Sequence, residues 1–371
     1  MKAVILVGGK GTRLRPITYL NPKPMLPLVN RPFMHNFINW LKLHGIEDII
    51  FSMGYLPSIF KQYFGDGSKF GVNITYVIEE RPLGTCGAVK NAEKHLGDKA
   101  FMVFNGDILT SLNLTQMISY HQKKKSDITI SLTPVEDPSA YGLVPTDKQG
   151  RVIEFLEKPS EEEITTNLIN AGTYIIEPKI MDLAPEGENY SFERGLFPQA
   201  LSLGRKIYGF RSQDYWLDVG TPQKYLDAHH DILGKKVDFD FPYKQDSRGL
   251  YIADKVKCDE SNFVSGPVAI GQGTILEPGA KVLPLSVIGD NCYISSETEI
   301  SGSILFNHCR VGRGSVIKDS ILSKNVKIDQ NVRVEGLSLI GDNSIIGKNN
   351  VLKKGIKINI NSRIQSGQIE F

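Results

Sequence analysis

The sequence predicts two domains, an α/β domain with a doubly wound parallel sheet and then a parallel β-helix. The chain has 371 residues, which is too long for one compact core and suits two. Short runs rich in Val, Ile and Phe alternate with helical patterns up to about residue 235, whereas aliphatic residues later recur every six positions. We therefore expect an α/β domain over residues 1–235, a linker over 236–250 and a β-helix over 251–371.

The first domain reads as strands alternating with helices. Such alternation indicates parallel βαβ units, and the nearly continuous hydrophobicity of the strands fits a sheet covered on both faces. Gly45 and Thr221-Pro222 supply signals for a helix end and a helix start. The predicted strands are Lys2–Val7, Ile49–Met53, Ile74–Ile78, Phe101–Phe104 and Thr173–Ile176, and the predicted helices are Phe33–His44, Thr85–Leu96 and Pro222 to about Leu233.

The second domain is predicted from a six-residue repeat. Helical periodicity is 3.6, so a repeat of six excludes a helix and is typical of a parallel β-helix with inward aliphatic columns. The repeat slips by one position on two occasions, and small or β-branched residues follow many aliphatic positions by four. The aliphatic positions are Ile270, Leu276, Val282, Ile288, Ile294, Ile300, Val311, Ile317, Leu322, Ile328, Val334, Ile340, Ile346, Leu352, Ile358 and Ile364.

Composition excludes several classes of protein. Hydrophobic residues make up 41% and charged residues 23%, and the net charge of +2 gives no reason to expect a nucleic-acid partner. No apolar run approaches the ~20 residues of a membrane helix, and the N-terminus lacks a secretory signal. The four cysteines have no metal-binding or disulfide spacing, so we expect reduced thiols, no membrane association and a cytoplasmic location.

A glycine-rich loop follows the first predicted strand. Three glycines in four positions allow backbone N–H groups to point into one concavity, which is a good cradle for phosphate oxygens. Arg13 adds a fixed charge that can bind phosphate through two hydrogen bonds. A glycine-rich turn with exposed basic side chains explains the loop alone equally well. The nucleotide-binding residues predicted here are Leu6, Gly8, Gly9, Gly11 and Thr12.

Lys23 stands between Pro22 and Pro24, so a stiff chain presents its ammonium group. With the glycine loop, this gives the pattern L-x-G-G-x-G-T-R-L-x-P followed by P-K-P. Over residues 1–232 the sequence resembles the sugar-1-phosphate nucleotidyltransferases, also called NDP-sugar pyrophosphorylases. The resemblance implies a Rossmann-like domain that converts a nucleoside triphosphate and a sugar 1-phosphate into an NDP-sugar and pyrophosphate, with Arg13 and Lys23 acting on the nucleotide phosphates.

Two aspartates at strand ends are candidate metal ligands. Asp107 follows the strand Phe101–Phe104 and Gly106, at the sheet edge where such folds bind ligands. An Asp that caps the next turn is the competing interpretation of that position alone. The resemblance makes Asp107 and Asp218 the pair that holds Mg²⁺, together with phosphates and water.

The resemblance also assigns residues to the sugar phosphate. Tyr141-Gly142 and the run Glu157-Lys158-Pro159 match family motifs, although an exposed hairpin would also account for the second run. By resemblance, Glu157 accepts hydrogen bonds from sugar hydroxyl groups, Lys158 holds the 1-phosphate and Asn170 contacts the sugar.

The segment from Glu79 to Thr85 is the candidate base-binding loop. A carboxylate only accepts hydrogen bonds, and guanine offers two neighbouring donors, so Glu79 or Glu80 suits guanine better than thymine. Two solvated glutamates remain the alternative. The run also resembles the mannose-1-phosphate guanylyltransferases, with thymidylyl- or uridylyltransferases of glucose 1-phosphate as the second possibility. The loop residues are Glu79, Glu80, Pro82, Gly84 and Thr85.

The β-helix resembles the left-handed hexapeptide-repeat domains that many of these enzymes use for subunit association or regulation, so we expect a homo-oligomer. His308 lies in the β-helix, where a histidine base would serve an acetyltransferase, but we expect it to fall in a slip of the repeat. A catalytically silent regulatory partner is a third possibility, which the intact set of basic and acidic motifs disfavours. His229 and His230 are expected on a helix surface.

Overall fold

The computed structural model describes residues 1–157, 160–258 and 260–369. They form two compact units. Met1–Gly9 and Phe37–Leu217 make the first, and Lys10–Asn36 with Asp218–Phe371 make the second. The region with α/β sequence character therefore contributes to both units, because residues 10–36 and 218–235 group with the β-helix.

A nine-stranded mixed sheet forms the centre of the first unit. Its strands are β1 Lys2–Leu6, β2 Asp48–Met53, β3 Asn73–Ile78, β4 Phe101–Asn105, β5 Ile128–Pro134, β6 Gly142–Leu143, β7 Leu156–Glu157, β8 Leu168–Ile176 and β9 Ile207–Arg211. Their order is β7-β6-β8-β4-β1-β2-β3, with β5 beside β8 and β9 beside β5. Strands β4, β1, β2 and β3 run parallel, and β8 is antiparallel to β4. The predicted doubly wound α/β fold is confirmed.

The helices match the predicted periodicity with small shifts at their ends. They are Phe33–Leu43, Pro57–Phe64, Gly84–Asn91, Leu114–Lys124, Phe197–Ser202 and Pro222–Leu233. The helix predicted over Thr85–Leu96 ends at Asn91, because the chain tightens there: the Ala92 N–H bonds to Val89 O, and a short 3₁₀ helix, Glu93–His95, follows. Thr221 caps the last helix by accepting a hydrogen bond from the Lys224 N–H.

Shorter elements complete the chain. The pair Pro27–Leu28 and Arg31–Pro32 is antiparallel, and Ile108–Thr110 pairs with Trp216–Asp218. A five-residue π-helix, Phe192–Leu196, precedes the helix Phe197–Ser202. The remaining 3₁₀ segments are Thr12–Leu14, Lys23–Met25, Ser68–Phe70, Glu161–Glu163 and Pro178–Leu183.

The β-helix is built from three parallel sheets. The first stacks Leu250–Ile252, Val268–Ile270, Val287–Ile288, Ile304–Leu305, Ile321–Leu322, Leu339–Ile340 and Lys357–Ile358. The second stacks Ile275–Leu276, Tyr293–Ile294, Arg310–Val311, Lys327–Ile328, Ile345–Ile346 and Arg363–Ile364. The third stacks Phe263–Val264, Lys281–Val282, Glu299–Ser301, Val316–Lys318, Arg333–Val334 and Val351–Leu352.

The predicted aliphatic columns form the interior of this β-helix. Residues such as Ile270, Ile300 and Val334 are completely buried, and so are corner residues four positions after an aliphatic one, such as Thr274 and Ser315. The two slips are short turns, because Leu305 follows Ile300 by five positions and Leu322 follows Ile317 by five. The buried aliphatic residues therefore stay stacked, and only the two turns are one residue shorter.

Two further expectations can be compared with the structure. None of the helices in the described residues has the length and apolar character needed to cross a bilayer. Cys86, Cys292 and Cys309 are buried free thiols, in agreement with the expectation of reduced cysteines.

Candidate functional site

The glycine loop begins where β1 and β4 lie side by side in the first unit. The Gly106 N–H donates to Leu6 O at 3.0 Å, and a Cβ at Gly106 would lie 2.8 Å from that oxygen. Only glycine fits this approach of two backbones. Asp107 follows directly, so the structure places the first predicted metal ligand beside the strand end that leads into Gly8 and Gly9.

Glu79 lies against the same loop. Its Oε1 is 3.1 Å from the position that a Cβ on Gly8 would take, so the carboxylate occupies space that a larger residue at Gly8 would need. The carboxylate accepts hydrogen bonds from Ser52 Oγ at 3.3 Å and from the Leu83 N–H at 3.2 Å. Two of its roughly four lone pairs therefore remain for a ligand. Glu80, by contrast, is exposed.

The rest of the predicted base-binding loop is tied to residues 187–193. Asn189 Nδ2 donates to Pro82 O at 3.1 Å, and Gly84 adopts a φ of +71° with Tyr190 O only 2.7 Å from where its Cβ would be. Thr85 Oγ1 accepts the Phe192 N–H and donates to Glu193 Oε2 at 3.1 Å. The loop is thus anchored by backbone and side-chain contacts.

A chain of hydrogen bonds connects the sugar-binding candidate Asn170 to this loop. Asn170 Nδ2 donates to the Tyr174 hydroxyl at 2.9 Å, and that hydroxyl donates to Glu193 Oε1 at 3.1 Å. Glu193 then meets Thr85, so one carboxylate bridges the two predicted subsites. A cavity of about 10 Å³, one water in size, is lined by Gly142, Asn170 and Glu193 among others.

Tyr141 packs edge-on against Trp216, with ring centroids 5.6 Å apart, and Trp216 Nε1 donates to Ala171 O at 3.0 Å. These contacts hold the aromatic pair beside the strand that carries Asn170. Gly142 pairs in register with Glu157 across β6 and β7. Lys158 and the side chain of Glu157 lie outside the described residues.

The second unit brings together Arg13, Lys23 and Asp218. Lys23 is only 8% exposed, and its Nζ lies 3.6 Å from Asp218 Oδ1. A Cβ on Gly220 would lie 2.6 Å from Arg13 Nη2 and 2.9 Å from Asp218 Oδ1, so Arg13 and Asp218 both lie against this glycine. A lysine buried beside a carboxylate is better explained by a binding site than by solvation.

The glycine loop continues into this unit. Gly11 has a φ of +58°, and a Cβ there would lie 3.2 Å from Lys23 Cβ and 3.1 Å from Thr18 Cγ2. The backbone turn at Gly11 is therefore packed directly on the lysine segment. Thr12 and Arg13 follow in a 3₁₀ turn and are exposed.

The Pro27–Asn30 segment is fixed by the helix that follows Asp218. The Tyr225 hydroxyl and His229 Nε2 both donate to Pro27 O, the second at 3.1 Å, and the Val29 N–H donates to His229 Nδ1 at 3.4 Å. The expectation of a surface position for His229 was wrong, because this residue is fully buried. Burial lowers its pKa to about 3.

The β-helix also holds this segment and this helix. Asn30 Nδ2 donates to Ile288 O at 2.8 Å, and His230 Nε2 lies 3.0 Å from Gly302 O. Gly302 is the turn at the first slip of the repeat. His308 was expected in a slip, but it lies in a full-length corner between Leu305 and Val311, and the slips occur at other corners.

The predicted carboxylate ligands could hold Mg²⁺ only if other ligands complete its coordination. Within residues 1–157, 160–258 and 260–369, no group of three or more His, Cys, Asp and Glu side chains is arranged to hold a metal. Mg²⁺ commonly uses one or two carboxylates and takes its other ligands from water and phosphates. Asp107 belongs to the first unit and Asp218 to the second, and their pairing around Mg²⁺ stays a prediction.

Sequence reasoning did not identify four of these functional candidates. Glu193 and Tyr174 form the bridge to Asn170, Ser52 fixes Glu79, and Lys224 Nζ lies 3.9 Å from Asp218 Oδ2. Only Lys224 carried a local signal, since it follows the N-cap Thr221 by three positions on the helix after Asp218. The other three are recruited by tertiary packing, which no spacing along the chain reveals.

Comparison with known proteins adds the family context. A family model described as nucleotidyl transferase matches residues 2–235, and one described as the EIF2B subunit epsilon LbH domain matches residues 247–367. A mannose-1-phosphate guanylyltransferase of Mycobacterium tuberculosis is 38% identical over 85% of this chain and 82% of its own length.

Two other matches are informative about the base and the fold. A UTP–glucose-1-phosphate uridylyltransferase of Synechocystis is 34% identical over 89% of both chains. The crystal structure of HddC from Yersinia pseudotuberculosis complexed with GMP-PN has a TM-score of 0.53 and 32% identity, and it covers 61% of this chain and 97% of its own.

Proposed function

Because the chain belongs to the nucleotidyl transferase family, we propose that it transfers a guanylyl group from GTP to mannose 1-phosphate and releases pyrophosphate. A phosphate oxygen of the sugar attacks the α-phosphorus of the nucleotide in line. The bond from that phosphorus to the bridging oxygen breaks, and pyrophosphate leaves with the electron pair. No nucleophile from the protein is required, because the sugar phosphate is already ionised.

The protein's task in this reaction is to bring two anions together and to stabilise the charge that develops on the leaving group. We assign the leaving pyrophosphate to Arg13 and to the backbone N–H groups of Gly9, Gly11 and Thr12. Lys23 neutralises charge on the α-phosphate, and the buried contact with Asp218 supports this role by fixing its ammonium group. Lys158, outside the described residues, is assigned to the sugar phosphate on its motif alone.

We assign Mg²⁺ binding to Asp107 and Asp218. When bound, Mg²⁺ supplies positive charge to the phosphate oxygens. Lys23 Nζ lies 3.6 Å from Asp218 Oδ1, and Lys224 Nζ lies 3.9 Å from Asp218 Oδ2. The Asp218 carboxylate therefore has two cations beside it in the free protein. Asp107→Asn should weaken Mn²⁺ binding measured by electron paramagnetic resonance in the presence of nucleotide, with the thermal midpoint unchanged. Unchanged Mn²⁺ binding in this variant would remove Asp107 from the metal site.

The observation that carries the choice of guanine is the position of Glu79. Its carboxylate is fixed by Ser52 and Leu83 beside Gly8, at the start of the phosphate loop, and it still has lone pairs to accept hydrogen bonds. Guanine presents N1–H and the 2-amino group side by side, and both are donors. Thymine and uracil present one donor between two acceptors, which a carboxylate matches less well.

The sugar subsite is assigned to Tyr141, Gly142, Glu157 and Asn170. The rigid chain from Asn170 through Tyr174 to Glu193 and Thr85 supports this assignment, since it links the sugar position to the base-binding loop. Both substrates would then be aligned by one hydrogen-bonded network.

A pyrophosphate-release matrix tests the proposal. GTP, dTTP, UTP, ATP and CTP are each combined with the 1-phosphates of mannose, glucose and N-acetylglucosamine. We expect the highest kcat/KM for GTP with mannose 1-phosphate. Turnover with UTP or dTTP and none with GTP would favour the second candidate, a uridylyl- or thymidylyltransferase of glucose 1-phosphate, which the Synechocystis relative supports.

We also propose that copies of the chain associate through the β-helix in the cytoplasm. Edge strands such as Phe263–Val264 and Arg363–Ile364 end two of its sheets and can offer backbone groups to a partner, and the thiols of Cys86, Cys292 and Cys309 suit a reducing compartment. Light scattering of the full chain at micromolar concentration should give a mass that is a multiple of 41.3 kDa. A mass of one chain at all concentrations would contradict self-association.

A further inference from the structure

One corner of the β-helix carries a basic cavity that the proposed reaction does not use. The cavity has a volume of about 480 Å³ and opens to solvent between two successive coils. His308 and Arg310 come from one coil, and the next coil contributes Lys324, Asn325, Val326 and Lys327. The four ionisable side chains are exposed, so their polar ends are accessible.

The repeat shows that this basic character is not a general feature of the corner. The position of His308 is taken by Asn in four other coils, and three of those side chains form an amide ladder, with Asn325 Nδ2 donating to Asn343 and Asn343 Nδ2 donating to Asn361. His308 interrupts this column. The equivalents of His308 are Gly273, Asn291, Asn325, Asn343 and Asn361.

The same comparison applies to Arg310 and Lys324. Arg310 and Lys327 are neighbours in register on the outer face of the second sheet, and like charges in this relation destabilise a sheet. The equivalents of Arg310 are Ile275, Tyr293, Lys327, Ile345 and Arg363, and those of Lys324 are Gln272, Asp290, Asn307, Asp342 and Ile360. Cations therefore concentrate in two adjacent coils.

Two outward arginines elsewhere on the β-helix have acidic partners. Arg313 pairs with Glu297 at 2.5 Å and Arg333 pairs with Glu335 at 2.6 Å. At the cavity only Lys327 has such a partner, Asp329 at 3.2 Å. In the part of the chain that the structure describes, no carboxylate makes an ion pair with Arg310 or Lys324.

Asp342 is the acidic group behind the cavity. Its Oδ1 accepts the backbone N–H of Lys324 at 3.1 Å and the Ser323 hydroxyl at 3.0 Å, so it faces the interior. Burial raises the pKa of Asp342 and so opposes its ionisation. The carboxylate attracts Lys324 electrostatically, but it is only 2% exposed and does not lie at the surface with the cations.

We propose that this cavity binds a small phosphate-bearing anion. The Arg310 guanidinium can hold two phosphate oxygens, Lys324 and Lys327 add point charges, and the His308 ring adds a donor at the rim. Binding would relieve the repulsion between Arg310 and Lys327, which is the energetic reason for the anion to occupy this position. The proposal does not rest on nucleotide transfer, because none of these residues belongs to the candidate catalytic set.

The repeat itself supplies substitutions that preserve the fold. Arg310→Ile introduces the residue found at the same position in two other coils, as Ile275 and Ile345. Lys324→Gln introduces the residue that the first of these coils has at the equivalent position, Gln272. Arg363→Ile is the matched control, because it removes a cation from the same repeat position three coils away from Arg310. His308→Asn identifies the His308 signal in a spectrum of the seven histidines.

The experiment is a titration of the full chain, labelled with ¹³C at histidine Cε1, with inorganic phosphate at constant ionic strength. We expect a saturating shift of the His308 signal, at least tenfold weaker binding in the variant with Arg310→Ile and Lys324→Gln, and unchanged binding in Arg363→Ile. Phosphate bound at the catalytic residues would leave the His308 signal in place.

Equilibrium dialysis with radiolabelled phosphate provides a second measurement, in which the double variant should lose one site per chain. A His308 shift that is absent, or linear with phosphate, or equally strong in the double variant would overturn the proposal. Loss of nucleotide transfer would not bear on it, since the assay contains no nucleotide or sugar phosphate.

Discussion

His229 Nε2 lies 3.1 Å from the carbonyl oxygen of Pro27, and both groups are inside the second unit. The Val29 N–H points at the other ring nitrogen, which fixes the neutral tautomer with its proton on Nε2. This clamp joins the segment four residues after Lys23 to the helix that starts after Asp218. The buried imidazole therefore helps to place two candidate site residues without touching a substrate.

This burial gives the protein a specific dependence of stability on pH. The pKa of His229 falls from 6.5 in the unfolded chain to about 3 in the folded one, so the unfolded chain binds more protons between these values. Stability should thus be lost as the pH falls below 6.5, by about 1.4 kcal/mol per pH unit from this residue. Urea unfolding at pH 7 and pH 5 measures the loss.

His229→Gln is the matched variant, because an amide can donate to Pro27 O and does not titrate in this range. It should lose about 2 kcal/mol less stability than the parent between pH 7 and pH 5. Other buried histidines, such as His121, contribute equally to the loss of stability in the parent and the variant, so their contributions cancel in the difference. Equal losses in parent and variant would show that His229 is not the group responsible.

Gly220→Ala should lower turnover with little effect on folding. The added methyl group would lie 2.6 Å from Arg13 Nη2 and 2.9 Å from Asp218 Oδ1, so at least one of these charged groups must move. Displacement of about 1 Å at such a site costs up to about a hundredfold in rate. We expect kcat to fall about 10–100-fold in a pyrophosphate-release assay.

Gly54→Ala is the control for this substitution, since its added methyl group meets no atom closer than 3.8 Å. It should retain parental kcat and a parental thermal midpoint. A Gly220→Ala enzyme with full activity would mean that the positions of Arg13 and Asp218 do not matter to turnover.

Glu79→Gln should shift the nucleotide preference. An amide can donate as well as accept, so it serves thymine and uracil better than a carboxylate does and serves the two guanine donors worse. We expect the ratio of kcat/KM for GTP to that for dTTP to fall at least tenfold. Glu80→Gln, one residue further and exposed, should leave the ratio unchanged, and an equal shift in both variants would refute base recognition by Glu79.

The sequence predicted the features that depend on neighbouring residues and missed those that depend on contacts between distant segments. The aliphatic columns through Ile270 and Val334 could be predicted, because each stacked coil places a buried position at the same six-residue period. Asp107 was placed at a strand end for a similarly local reason. The bridge through Tyr174 and Glu193, and the burial of His229, depend on packing between distant segments, and an Asp, Glu or His has the same local pattern whether it is exposed or enclosed.

Asn30→Asp tests whether the β-helix supports the lysine segment. Asn30 has a φ of +65° and donates from Nδ2 to Ile288 O at 2.8 Å. Aspartate tolerates this backbone conformation but places a second acceptor against the carbonyl oxygen. The unfolding free energy should fall by about 1–3 kcal/mol, because the buried carbonyl loses its donor and meets a negative charge. The KM for GTP should rise, since the segment begins four residues after Lys23.

Asn30→Gly separates these effects from backbone strain. Glycine keeps the positive φ and removes the side chain, so the carbonyl loses its donor without meeting a charge. Its loss of stability in urea unfolding should be smaller than that of Asn30→Asp. Its KM for GTP should lie between the values for the parent and for Asn30→Asp. If Asn30→Asp were as stable as the parent and bound GTP equally well, the contact with Ile288 would have no part in holding the segment, and the β-helix would support the site through other residues.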